Sequence, residues 1–199
     1  MNHIPPTPVP TQLRAGTQLN IPNLITLGRI LLVPVLVWAI AAGEMLAAFI
    51  LFVAAGISDA VDGFLAKRFG MTSEIGAYLD PLADKALIVS IYVALGITGA
   101  IPRWLVILVV SRDIMIVTAV MLSWFVGKPV QVKPLLVSKL NTLAQILFAC
   151  LVLAALGLGF NPGPLQPILM GLVAILTLAS VAFYVIEWVR HINRAETGR

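Results

Sequence analysis

Ser58-Asp59-Ala-Val-Asp62-Gly63-Phe-Leu-Ala66-Lys67-Arg68, followed seven residues later by Gly76-Ala-Tyr-Leu-Asp80-Pro-Leu-Ala-Asp84-Lys85, places four aspartates in one run of a chain that is otherwise close to continuous hydrocarbon. A carboxylate at membrane depth costs about 2.5–3.5 kcal/mol on insertion scales, so four of them call for a compensating partner. A divalent cation is the simplest one.

Hydrophobic residues make up 60% of the 199 positions and charged residues only 11%, a balance that belongs to integral membrane proteins rather than soluble domains. A spanning helix needs about 20 mainly apolar residues. Six stretches qualify: 24–41, 45–66, 80–98, 104–126, 138–157 and 165–189. Their apolar runs lack the alternation of strands, and only helices or closed barrels satisfy every backbone group in lipid. The fold class expected is therefore all-α, an integral membrane bundle of six transmembrane helices.

An even number of spans puts both ends of the chain on one side. Arg14, Lys67, Arg68, Lys128, Lys133, Lys139, Arg190, Arg194 and Arg199 fall on that side, whereas the opposite loops hold only Arg103 with Glu44. The positive-inside rule makes it the cytoplasmic side, so both termini and the aspartate run are expected at the cytoplasmic surface. The excess of 13 basic over nine acidic residues is thereby distributed as for a lipid bilayer, and no nucleic-acid partner is expected. Residues 1–20 read as a disordered cytoplasmic lead-in, 21–190 as one six-span domain and 191–199 as a short basic tail. The lead-in is too poor in arginine for a transit peptide, which favours a bacterial plasma membrane. Trp38, Trp104, Trp124 and Trp188 lie near span ends, as interfacial anchors do. The single cysteine, Cys150, reads as a packing residue, and His3 and His191 as solvated surface groups.

Asp59 and Asp62, three apart, share a helix face at the end of the second span, as do Asp80 and Asp84, four apart, at the start of the third. Two such helices side by side point four carboxylates into one cleft. Carboxylate oxygens are hard ligands suited to Mg2+, Mn2+ or Ca2+, and Mg2+ in particular is held by a few carboxylates with substrate phosphates and water. Gly63, Ala66 and Gly76 clear side chains from the same side, which admits a ligand or a neighbouring backbone. Helix packing alone would account for any one of these small residues.

The run Asp-x2-Asp-Gly-x2-Ala-Lys-x8-Gly-x3-Asp-x3-Asp resembles the motif of the CDP-alcohol phosphatidyltransferases, which differs only in having arginine where this chain has Lys67. The resemblance implies transfer of phosphatidyl from CDP-diacylglycerol to an alcohol with release of CMP. It implies two divalent cations, Mg2+ or Mn2+, held by Asp59, Asp62 and Asp80, with Asp84 as a metal neighbour and the general base. Gly63, Ala66, Lys67 and Gly76 would then border the CDP-lipid. Lysine keeps the charge of arginine but not its bidentate fork, so the detail of phosphate binding is expected to differ. Members of the family commonly form homodimers.

Asn20-Ile-Pro-Asn23-Leu-Ile-Thr26-Leu-Gly-Arg29 with Pro34, and Leu79-Asp-Pro-Leu-Ala-Asp-Lys85, are similar to the branch that makes phosphatidylglycerophosphate and cardiolipin. Ser111-Arg112-Asp113, Lys133-Pro134 and Ser138-Lys139-Leu-Asn-Thr-Leu-Ala-Gln145 are similar to eukaryotic-type cardiolipin synthases, which favours phosphatidylglycerol over glycerol 3-phosphate as acceptor. Arg112 is expected to anchor the acceptor phosphate, with Lys133 and Lys139 closing the cleft. An internal ion pair is the other reading of Arg112, with Asp113 its local counter-charge. Asn23, Thr26 and Arg29 are candidates for the nucleotide side. A transporter of cations or phosphate would also carry intramembrane carboxylates, but normally near the midplane rather than at one surface. A membrane scaffold would tolerate neutralisation of Asp59 or Asp80.

Overall fold

A computed structural model describes residues 21–69, 74–125 and 136–197, with side chains over 26–61, 83–118 and 136–186. The described chain is all-helical. It comprises α1 (Ile21–Ala41), α2 (Met45–Phe69), α3 (Glu74–Ile97), α4 (Arg103–Phe125), α5 (Leu136–Leu158) and α6 (Leu165–Thr197), with no strand among the described residues. The shortest has 21 residues, about 30 Å at 1.5 Å per residue and so a match to the hydrocarbon core of a bilayer. α5 and the Leu165–Ile186 part of α6 are long and apolar enough to cross a membrane, while α1 and α2 carry the shorter apolar stretches Thr26–Ala41 and Met45–Val61.

Three tight turns close one end of the bundle. After α1 the Glu44 amide donates to the Ala39 carbonyl at 2.9 Å, after α3 the Ala100 amide donates to Leu95 at 2.9 Å, and after α5 the Phe160 amide donates to Ala155 at 3.2 Å. Each bond spans five residues and follows a left-handed glycine (Gly43, Gly99 and Gly159), the geometry by which a helix caps its last carbonyls while the chain reverses. The aspartates lie at the other end of the bundle.

α1 packs on α2 and α3, α2 on α5, and α5 on α6, while α4 bridges α3 and α6. The shared core contains Leu36, Ile40, Phe52, Ile91, Leu95, Leu105, Phe148 and Leu153. Its polarity is inverted relative to a soluble bundle. Large apolar side chains stand exposed on every helix, among them Leu31, Ile50, Ile97, Ile107, Leu143 and Ile175, while Arg29, Arg112, Asp113, Asn141, Gln145, Thr177 and Ser180 are buried. Water does not tolerate so continuous an apolar exterior, and lipid does. Trp38 and Trp104 are exposed in the last turn of α1 and the first turn of α4, placed as interfacial anchors should be.

α2 and α5 approach closely because Gly157 has no side chain. A Cβ built there would lie 2.8 Å from the Leu46 Cα and 2.9 Å from the Met45 carbonyl oxygen, both backbone atoms that cannot turn aside. Small residues at such points are how membrane helices gain contact. Gly157→Val should lower the thermal midpoint in detergent, by the equivalent of about 1–3 kcal/mol for an overpacked site. Gly56→Ala, whose added methyl meets nothing within 4 Å, should leave it unchanged or slightly raised; equal midpoints for Gly157→Val and Gly56→Ala would show that α2 and α5 do not pack in this way.

Candidate active site

The aspartate run occupies the end of α2 and the start of α3. Asp59 and Asp84 come from different helices and meet at one atom. The Arg29 guanidinium, reaching across from α1, places Nη1 2.8 Å from Asp59 Oδ1 and 2.6 Å from Asp84 Oδ1. The arginine side chain is 1% exposed, whereas the two carboxylates are 48% and 44% exposed. A cation is thus held from below while both carboxylates open outward.

Side chains of Asp62, Gly63, Ala66, Lys67, Gly76 and Asp80 lie outside the described residues, as does all of Lys133. Their backbone positions, apart from Lys133, are on α2 and α3, in the helices that carry Asp59 and Asp84. Among the described residues no three His, Cys, Asp or Glu side chains gather into a metal cluster. The pair that is described nevertheless suits a hard divalent ion. Two carboxylate oxygens already converge within hydrogen-bonding reach of one positive centre and remain open to solvent, the donor chemistry and access that Mg2+ or Mn2+ requires. Asp62 and Asp80 are one helical turn from Asp59 and Asp84 respectively, on the same helix faces.

Deeper in the bundle lies a second polar group. Arg112 on α4, fully enclosed, donates from Nη1 to Asp113 Oδ1 at 2.6 Å, from Nε and Nη2 to Ser180 Oγ at 3.1 and 3.0 Å, and from Nη2 to Ser138 Oγ. Its guanidinium therefore ties α4 to α5 and α6 and forms the internal ion pair weighed from the sequence. Lys85, the residue after Asp84, donates from Nζ to the same Asp113 oxygen at 2.6 Å. Below it Thr177 donates to Asn141 Oδ1 at 2.9 Å and the Tyr92 hydroxyl donates to the Gln145 carbonyl at 3.1 Å. Lys139, by contrast, is exposed on the first turn of α5.

The carboxylate partnership of Arg29 and the link from Lys85 to Asp113 are not evident from spacing, because each joins helices 28 residues or more apart in sequence. Polar residues recurring at 138, 141 and 145, and at 177 and 180, are the available signal, since each set falls on one face of an apolar helix.

The described chain is thus a helical bundle with a lipid-suited exterior and two carboxylates, open at one end, paired on one buried arginine. Its family follows from comparison: residues 19–186 match the model for CDP-alcohol phosphatidyltransferase, and the chain belongs to that family. It is similar to CDP-diacylglycerol–glycerol-3-phosphate 3-phosphatidyltransferase 1, chloroplastic, of Oryza sativa, with 38% identity over 199 residues covering 85% of this chain and 57% of that one. It is similar to cardiolipin synthase (CMP-forming) of Rattus norvegicus, with 33% identity over 181 residues covering 83% and 60%. A probable phosphatidylglycerophosphate synthase of Mycobacterium tuberculosis is 38% identical over 101 residues, 48% of each chain. The chain thus spans less than two thirds of these relatives' length.

A metal ion held by Asp59 and Asp84 would meet Arg29 at the same two oxygens. Arg29→Met should therefore tighten Mn2+ binding, measured by titration calorimetry or by the Mn2+-dependent rise in thermal midpoint, while lowering the midpoint in EDTA because two carboxylates lose their counter-ion. Weaker Mn2+ binding in Arg29→Met would mean that Arg29 supports the ion rather than stands in for it.

Proposed function

We propose that this chain transfers the phosphatidyl group of CDP-diacylglycerol to a glycerol-type acceptor and releases CMP, in the synthesis of anionic phospholipids. The observation that carries this is the meeting of Asp59 and Asp84, at fixed positions of the family motif on separate helices, around one cationic centre at the open end of the bundle. In this reading Asp59, Asp62, Asp80 and Asp84 bind two divalent cations, Mg2+ or Mn2+, which when bound neutralise the diphosphate and the departing CMP. Gly63, Ala66, Lys67 and Gly76 border the CDP-lipid. Asp84 takes the proton of the acceptor hydroxyl as its oxygen attacks the phosphatidyl phosphorus, and the bond from that phosphorus to the CMP oxygen breaks.

All six helices cross the bilayer, with both termini and the site on the cytoplasmic side. Support comes from the exposed apolar side chains on each helix and from the basic residues gathered at the aspartate end. The host membrane of this reading is a bacterial plasma membrane, for which the mycobacterial relatives speak and the chloroplastic and mitochondrial ones do not, and a homodimer is the assembly that the family resemblance implies.

Phosphatidylglycerol is the acceptor we favour, giving cardiolipin. Ser111-Arg112-Asp113 and the Ser138–Gln145 segment support it, together with relatives named cardiolipin synthase (CMP-forming) in rat and human. Glycerol 3-phosphate is the second candidate, favoured by the 38% identity to the rice enzyme named for that acceptor. Lys133 and Lys139 are the proposed acceptor-phosphate ligands. Arg112 joins them only by giving up bonds it holds inside the bundle, where Ser180 accepts from Nε and Nη2, Ser138 from Nη2 and Asp113 from Nη1.

Purified protein given CDP-diacylglycerol, Mn2+ and each acceptor in turn should release CMP with phosphatidylglycerol. Asp84→Asn should lower the rate about 10²–10⁴-fold, the usual contribution of a general base. Turnover with glycerol 3-phosphate alone would reassign the product to phosphatidylglycerophosphate. Absence of CMP with either acceptor would contradict the transferase assignment.

A further inference from the structure

Asp113 balances two cations with a single oxygen. Lys85 Nζ and Arg112 Nη1 both lie 2.6 Å from Oδ1, whereas Oδ2 is buried and has no hydrogen-bond partner among the described residues. The ammonium of Lys85 is attracted by Asp84 as well as by Asp113, so it stands between the aspartate motif and the buried Arg112–Asp113 pair. Of the two cations, Arg112 is enclosed with every guanidinium nitrogen bonded, but Lys85 is 33% exposed and follows Asp84 directly in α3. Consecutive helical residues project about 100° apart, so Lys85 lies beside the carboxylate cleft on the flank of α3 that meets α4.

We propose that Lys85 is a further binding residue for the phosphate of the acceptor, a monoester or diester, and that Asp113 is the positioning residue that holds its ammonium at the cleft. The assignment rests on the transferase reading above. Asp113 suits this task because Arg112, its chain neighbour, is tied to Ser138 on α5 and Ser180 on α6, which fixes the carboxylate against three helices. Lys85 has a flexible four-carbon stem, and its second hydrogen-bond donor and third donor remain for a phosphate oxygen once one points at Asp113.

A double-mutant cycle tests this in wild type, Lys85→Met, Asp113→Asn and the double variant, with CDP-diacylglycerol and Mn2+, using phosphatidylglycerol in one arm and glycerol 3-phosphate in the other. In the arm that supports wild-type turnover, each single variant should raise the acceptor KM roughly tenfold to a hundredfold, as for the loss of one charge-assisted hydrogen bond. The CDP-diacylglycerol KM should stay within about twofold, since that lipid is bound elsewhere. The double variant should be no worse than the poorer single one, because Asp113 acts through Lys85. Lys85→Arg, which keeps charge and pairing, should recover most of the affinity, and thermal midpoints separate these effects from misfolding. Multiplying effects, an unchanged acceptor KM, or equal rises for both substrates would overturn the assignment. Wild-type turnover together with any of those results overturns the role of Lys85 alone, whereas no wild-type CMP release in either arm overturns the transferase reading and this role with it.

Discussion

Two carboxylates from different helices cannot share one position at the edge of a membrane without positive charge between them. At a separation set by a common partner, like charges repel strongly wherever water is scarce. Arg29 supplies that charge, with its guanidinium buried and the carboxylates turned outward. The same contact adds to the apolar packing of α1 against both α2 and α3, since one side chain of α1 is bonded to both neighbours. In the proposed function a metal ion would meet the same two carboxylate oxygens that Arg29 now holds. That is the link between the fold and the chemistry.

Away from that end, the bundle is stabilised in two different ways. Its outer turns are closed by backbone bonds around left-handed glycines, and its interior carries a polar seam from Lys85 through Asp113 and Arg112 to Ser138 and Ser180. Every bond of the seam joins groups that would be poorly solvated in lipid, where an unpaired polar atom costs more than in water. The seam starts one residue after Asp84 and ends on α6, so α4, α5 and α6 are referenced to the helix that carries half of the aspartate motif.

Apolar run lengths made the six helices legible from sequence, and the turns at Gly43, Gly99 and Gly159 fall between those runs as expected. The boundaries at the polar end were less legible. α3 starts at Glu74 rather than 80, and α6 continues to Thr197 rather than 189, because hydropathy marks where lipid contact ends and not where helical hydrogen bonding does. The aspartate spacing pointed to a shared cleft; Asp59 and Asp84 are bonded to one arginine, and the side chains of Asp62 and Asp80 lie outside the described residues. What spacing could not reveal was which cation faces which carboxylate. Arg29 was a candidate for the nucleotide side and is bonded to two aspartates, and Arg112, expected at the acceptor phosphate, is bonded internally. Those pairings depend on helix rotation and tilt, which an apolar pattern in lipid constrains weakly because lipid-facing and core-facing residues are chemically alike.

The most direct measurement is Mn2+ binding to the purified protein with CDP-diacylglycerol present, followed by electron paramagnetic resonance of free and bound ion. Saturable binding of about two ions per chain, lost in Asp59→Asn and in Asp80→Asn, is the expected result for a two-cation carboxylate site. Weak, unsaturable uptake that neither substitution changes would contradict the assignment of the aspartate run as the metal centre.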